Sequence, residues 1–195
     1  MVGRRSSARW HRALGLALLL ASSACSYLPK IKQAGIPVEE IRTFDLAGRI
    51  SVTREGRNLP GKLYWHHDDL SDQIEVLTPL GQGVARIVRD ADGVTLTTAD
   101  KKEYRASDAE ALTEQRLGWR LPLSSLPDWV LGRPARAPVD EMARDEEKRL
   151  ISLTQLGWKI EYPAYREGDV LPQTIRLSRP EIDLRIAVDS WAVGR

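Results

Sequence analysis

Apolar and polar residues alternate along most of this chain. From Phe44 to Val52 the apolar Phe44, Leu46, Ile50 and Val52 fall on even positions, with Asp45, Arg49 and Ser51 between them. A period of two is the mark of a strand with one buried face. Gly48 lies on that face and predicts a bend or a close backbone approach. Glu55-Gly56-Arg57 and Pro60-Gly61 mark the turn that follows. Further strands are predicted at 62–67, at 73–78 with Ile74 and Val76 on one face, and at 84–89, 94–98 and 102–106. Asp92-Gly93 signals a hairpin.

The period changes in the middle of the chain. Ser107-Asp108-Ala109-Glu110 reads as a capping box opening a helix to about Leu117, with Gly118 as its stop. Ser124 or Ser125 can cap a second short helix through Trp129 to Leu131, ended by Gly132 and Pro134. Residues 135–147 are charged and poorly patterned, which predicts a solvated loop. Alternation returns at 150–155, at 158–162 with Trp158, Ile160 and Tyr162 aligned, and at 173–178 and 182–189. The expected fold is mainly β (α+β). It has about nine to eleven short antiparallel strands, with helices inserted after the sixth. Such a series forms a curved sheet or incomplete barrel with helices packed on its concave side.

The first 25 residues follow another rule. Arg4, Arg5, Arg9 and Arg12 precede an apolar stretch from Ala13 to Ala21, then Ser22-Ser23-Ala24 and Cys25, the only cysteine. The apolar run is too short to span a bilayer, which takes about 20 residues. Its layout is that of a secretory signal peptide, 1–24. A cysteine at the cleavage point suggests a lipoprotein signal, with Cys25 lipidated as the new N-terminus. Lipoprotein signals prefer Leu where this chain has Ser22, and a small-x-small cut leaving a bare thiol fits the same residues. Residues 25–41, with Pro29, Gly35 and Pro37, read as a lipidated tether. Fifteen extended residues reach about 50 Å. The domain is then 42–195.

Composition adjusts this picture. The whole chain has a net charge of +2, and the signal carries four arginines and no acid, so the mature chain stands at −2. No basic stripe suggests nucleic acid. One cysteine excludes a disulfide framework. Six Trp and five Tyr against a single Phe favour surfaces apolar at one end and wet at the other. The chain has no nucleophile elbow, phosphate loop or dinucleotide fingerprint. His66-His67-Asp68-Asp69 resembles a metal cluster, but adjacent residues of a strand point to opposite faces. No metal or cofactor is expected.

Pro79-Leu80-Gly81 stands between two strands, where a polar turn is normal. Proline presets the first turn position and glycine tolerates positive φ. Leu80 is left at the tip. Either it folds back onto the core or it is an exposed apolar probe for a membrane or another protein.

Taken together, Phe44, Gly48-Arg49, Trp65, Pro79-Leu80-Gly81, Ala106, Asp108-Ala109 and Leu121-Pro122 form the first half of a longer pattern. It continues with Trp129-Val130-Leu131-Gly132, Pro134, Gln155, Gly157-Trp158, Ile160, Tyr162, Leu171-Pro172 and Trp191. In this order, over about 44–191, the chain resembles the LolB family of outer-membrane lipoprotein receptors. The resemblance implies a half-open antiparallel barrel with a helical lid and an apolar cavity. It implies a function without cofactor: accepting lipoproteins from a soluble periplasmic carrier and inserting them into the outer membrane. Ser26 is not the aspartate that retains lipoproteins at the inner membrane. Leu80 matches the family's exposed loop leucine, implicated in membrane insertion.

The inward positions of the strands supply a candidate acyl-binding surface: Leu46, Ile50, Trp65, Ile74, Val76, Trp158, Ile160, Leu184 and Ile186. Plain core packing is the other reading of each. The expected partners are a periplasmic carrier, acylated lipoprotein cargo and the inner leaflet of the outer membrane, met by a monomer. Three alternatives remain at this level. A soluble acyl carrier on the same fold would lack the lipid on Cys25. An envelope lipid hydrolase would need a nucleophile–histidine pair. A structural envelope lipoprotein would have a solid interior.

Overall fold

Alternating segments joined by tight turns pair neighbour with neighbour. The computed structural model of the protein follows this rule. It describes residues 36–195 other than Trp119, Glu167 and the side chain of Leu117. The predicted signal, Cys25 and most of the predicted tether lie outside the described residues. The first six strands are β1 (Thr43–Arg54), β2 (Arg57–His67), β3 (Asp72–Leu77), β4 (Gly83–Asp90), β5 (Gly93–Thr98) and β6 (Glu103–Ala106). Two helices follow, α1 (Ala109–Leu117) and α2 (Leu126–Val130). The second series is β7 (Glu141–Arg144), β8 (Leu150–Gln155), β9 (Trp158–Tyr165), β10 (Pro172–Arg179) and β11 (Ile182–Gly194).

All eleven strands form one antiparallel sheet, in the order β6-β5-β4-β3-β2-β1-β11-β10-β9-β8-β7. Its centre is the pairing of the first strand with the last. Its edges, β6 and β7, do not pair, so the barrel stays open. The chain from 107 to 140 runs between those edges. α1 leans on β6, where the Arg116 guanidinium lies 3.8 Å from the Tyr104 ring centre. α2 buries Leu126, Trp129 and Val130.

Gly48 marks the irregularity expected of it. The register passes from Ala47↔Ser190 to Gly48↔Val188, leaving Asp189 as the extra residue of a bulge. A Cβ on Gly48 would stand 2.5 Å from the carbonyl oxygen of Ala187.

Several boundaries differ from expectation. The β1–β2 turn is Glu55-Gly56 alone, and Pro60 and Gly61 lie within β2. Proline is tolerated there because pairing with β3 begins only at Lys62, so β2 has β1 on one side and no neighbour on the other. The β4–β5 turn is Ala91-Asp92, and Gly93 opens β5. The cap of α1 is Asp108, whose carboxylate accepts from the N–H groups of Glu110 and Ala111; Ser107 is one residue too early. Ser125 precedes α2 without capping it through its side chain. Residues 141–144, read as part of a charged loop, form the short edge strand β7, with Glu141 and Arg144 at its ends. A charged edge strand resists pairing with other chains, and the same charges hide its period.

The domain also begins earlier than expected. Residues 38–40 form a 3₁₀ turn, Ile41 is fully buried, and Ile36 and Val38 pack on the core. Arg133 holds this segment, donating from Nη1 to the carbonyls of Val38 (2.5 Å) and Ile41 (3.1 Å). The predicted tether therefore loses residues 36–41 to the domain.

Two polar groups organise the concave side. Gln155 on β8 is wholly buried. Its Oε1 accepts from Trp129 Nε1 (2.8 Å) and the Ala135 N–H (3.0 Å), and its Nε2 donates to the carbonyls of Ala135 (3.0 Å) and Ala137 (2.7 Å). One side chain thus saturates its own amide and stitches the segment after α2 to the sheet. At one end of the sheet, Phe44, His67, Asp72 and Arg89 stand opposite one another across β1 to β4. Buried Asp72 accepts from Trp65 Nε1 (2.9 Å), His67 Nδ1 (2.7 Å) and Arg89 Nε (2.6 Å). Burial opposes its charge, but these hydrogen bonds and the charges of His67 and Arg89 outweigh it and hold the carboxyl below the usual carboxylate range. Phe44 closes the end, with Trp65 and Trp191 edge-on at 5.2 and 5.5 Å.

Replacing Gln155 with Leu leaves buried donors and acceptors without partners, each costing about 1–3 kcal/mol. Gln155→Leu should lose about 3–5 kcal/mol of stability, read as a lower urea midpoint at unchanged slope. A normal midpoint would remove Gln155 from its place as the clamp. Because the folded-state pKa of Asp72 is lowered, its contribution is complete at neutral pH and fades as pH falls through and below 3.8. Asp72→Asn should be less stable than the parent at about pH 7, and the gap should close towards about pH 2. Urea titrations at several pH values check this.

Candidate functional site

The concave face is filled on one side and hollow on the other. Over β8 and β9, Trp129 of α2 sits against Trp158, with ring centres 6.5 Å apart, and its carbonyl accepts from the Tyr162 hydroxyl at 2.9 Å. Burial pushes the Tyr162 pKa upward, so the hydroxyl stays a donor. Trp158 and Ile160 are sealed beneath this helix and fully buried.

Over β1 to β4 and β10 to β11 a cavity of about 460 Å³ remains. Ile50, Trp65, Ile74, Val76, Leu184 and Ile186 line it, as their inward phase requires. Leu46, Trp158 and Ile160, named with them from the sequence, do not. Leu46 pairs with Trp65 and Trp191 in the plugged end, and the other two lie under α2. Strand residues not anticipated also line the cavity, among them Val52, Leu63, Ile87 and Leu177. Their alternation was there to be read. Leu121 and Leu126, from the helical segment, complete the wall. No local pattern could have placed those two, because they reach the cavity only when the chain folds across the open sheet. Among the described residues Arg54 is the one charged side chain lining the cavity.

The mouth lies at the end of the sheet away from the Asp72 network. Leu59 and Val84 line it and are exposed. Thr78, the residue after β3, lines it too. Here begins the loop Thr78-Pro79-Leu80-Gly81-Gln82. The Gly81 N–H donates to the Thr78 carbonyl (2.9 Å), the Thr78 N–H to the Gln82 carbonyl (2.7 Å), and the Gln82 N–H to Thr78 Oγ1 (3.1 Å). Gly81 has φ +90°, which an L side chain rarely adopts. These bonds hold a tight turn and leave Leu80 pointing away. Leu80 is 90% exposed, so it does not fold back onto the core.

His66 and His67 lie on opposite faces. His66 meets Asp45 at 2.8 Å on the outside, and His67 meets Asp72 inside. Among the described residues no three His, Cys, Asp or Glu side chains converge as a metal site, and no helix is long and apolar enough to cross a membrane. The site is an apolar hollow beside an exposed apolar tip, and it can shelter a hydrocarbon chain.

Known proteins share both sequence and fold with this chain. The sequence model of the family described as "Outer membrane lipoprotein LolB" matches residues 42–191. The outer-membrane lipoprotein LolB of Nitrosomonas europaea is 37% identical and aligned over 92% of both chains. That of Thiobacillus denitrificans is 36% identical, covering 89% of this chain and 93% of the relative. In fold, the crystal structure of a DUF1329 family protein from Desulfovibrio piger superposes with a TM-score of 0.51. It is 9% identical and covers 80% of this chain and 87% of that one. The sheet is thus shared well beyond recognisable sequence. The family match begins before the first strand and ends within the last, and the relatives align over most of the chain: this chain belongs to the LolB family of outer-membrane lipoproteins.

Proposed function

We propose that this protein accepts acylated lipoproteins from a periplasmic carrier and passes them into the inner leaflet of the outer membrane. It acts as a monomer anchored through lipidated Cys25. The observation that carries this reading is the junction at the mouth, where one short loop borders the cavity through Thr78 and exposes Leu80 at its tip. Leu59 and Val84 at the mouth and Leu80 on the neighbouring loop are all exposed apolar side chains.

Energetics support a middle station. Each buried methylene of an acyl chain is worth about 0.8 kcal/mol, so free cargo cannot cross water unaided. A methylene takes about the volume of a water molecule, roughly 30 Å³, so the cavity holds on the order of fifteen methylenes. That is one chain of a triacylated cargo. A site that shelters part of the lipid binds it less well than a bilayer does, and transfer then runs downhill without an energy source. No bond is made or broken, and the role needs no catalytic group.

Leu80→Glu should fold and accept cargo normally but fail to deliver it. The measurement is passage of a labelled lipoprotein from carrier to this protein and on to liposomes. Normal delivery by the variant would end the role given to Leu80. Ala85 lines the cavity. Ala85→Phe should displace about four methylenes of cargo and weaken acyl binding about 200-fold. Its circular dichroism should be unchanged. Undiminished binding of a fluorescent acyl probe would place the lipid elsewhere.

A further inference from the structure

The outer face of the sheet carries a second hollow beside the same loop, about 280 Å³ in volume. Pro60, Gly61, Pro79 and Ala187 give it an apolar lining, and Arg49, Lys62 and Arg185 stand around it. The pairing of the strands brings these cations together. Arg49 on β1 is directly opposite Lys62 on β2. Arg185 on β11 faces Ser51, two positions along β1, and stands directly opposite Arg176 on β10. Like charges in facing positions of an antiparallel pair are destabilising. Two of the four are neutralised: Arg49 pairs with Asp189 at 3.0 Å, and Arg176 with Asp183. Lys62 and Arg185 are exposed and, among the described residues, have no ion pair or side-chain hydrogen bond.

The position of this pair is informative. Pro79 lines the outer hollow, Thr78 lines the inner cavity, and Leu80 projects next to both. When a leucine at a loop tip enters the hydrocarbon, the base of its loop lies among the headgroups. Basic side chains at that depth are attracted to anionic lipid, and the attraction fades within a Debye length. We infer that the hollow between Lys62, Arg185 and Pro79 seats the headgroup of an anionic phospholipid. The seat presses the Leu80 loop and the cavity mouth against the leaflet together. This inference rests on the role proposed for Leu80, and it adds a lipid preference and an orientation.

The test uses the mature chain with Cys25→Ser, so that an acyl anchor does not dominate binding. Flotation measures its affinity for vesicles of phosphatidylcholine, with and without phosphatidylglycerol. The parent should prefer the anionic vesicles, and high salt should erase the preference. Lys62→Ser with Arg185→Ser should reduce the preference about 25-fold, about fivefold per cation, and leave binding to neutral vesicles unchanged. Lys62→Arg should keep it. A double variant that retains the full preference overturns the seat. So does a double variant that keeps the preference yet takes up cargo poorly from the carrier, because the cations would then meet an acidic protein surface. Leu80→Glu separates the two readings. If it binds and delivers as the parent does while the double variant loses the preference, the seat stands and the role of the tip falls.

Discussion

The structure depends on how one buried amide holds the lid. An antiparallel sheet whose edges do not meet exposes its concave side, and that side must be covered. The covering chain, 107–140, offers two short helices and, among the described residues, no strand with which to pair. Gln155 meets the need by satisfying all its hydrogen-bonding positions on Trp129, Ala135 and Ala137. Left unpaired, those groups would be costly at such depth. Paired, they pin the lid in one register, set Trp129 against Trp158 and bury Ile160 beneath it.

Pinning at one side creates the hollow at the other. α2 is only five residues long and covers the β8–β9 half. Over β1 to β4 the inward leucines, isoleucines and valines face one another across space, with Leu121 and Leu126 as the far wall. Native cores are normally packed to crystal density, so an apolar volume of about 460 Å³ costs stability that a structural role would not require. The Asp72 network makes the hollow one-ended. It closes the sheet at Phe44 and leaves the mouth at the Leu80 loop. The bulge at Asp189, opposite Gly48, lets the two central strands curve round the hollow.

The same geometry makes the loop a junction. The turn bonds of Thr78 and Gly81 fix its direction, and its neighbours carry hydrocarbon contact inward and cationic contact outward. An exposed leucine in a loose loop would bury itself. This one stands exposed on a hydrogen-bonded turn, the second of the two options the sequence left open.

What the sequence determined alone is everything local. Period-two alternation placed ten of the eleven strands and the phase of those where it is cleanest, because facing inward or outward is decided residue by residue. It placed the helices after the sixth strand, the stop at Gly118, and the exposed place of Leu80 as one of two options. β7 escaped because its charges break the pattern, and Pro60-Gly61 misled because their turn chemistry is overridden by pairing with β1. Inward phase also put Leu46, Trp158 and Ile160 among the candidates for the cavity wall, and phase cannot say which inward residues are covered. That depends on where a lid from elsewhere in the chain comes to rest. Only the tertiary structure decided it, through Gln155 and Trp129, 26 residues apart, and it alone joined Lys62 and Arg185 beside Pro79. These are contacts between strands distant in sequence, and no window along the chain contains them.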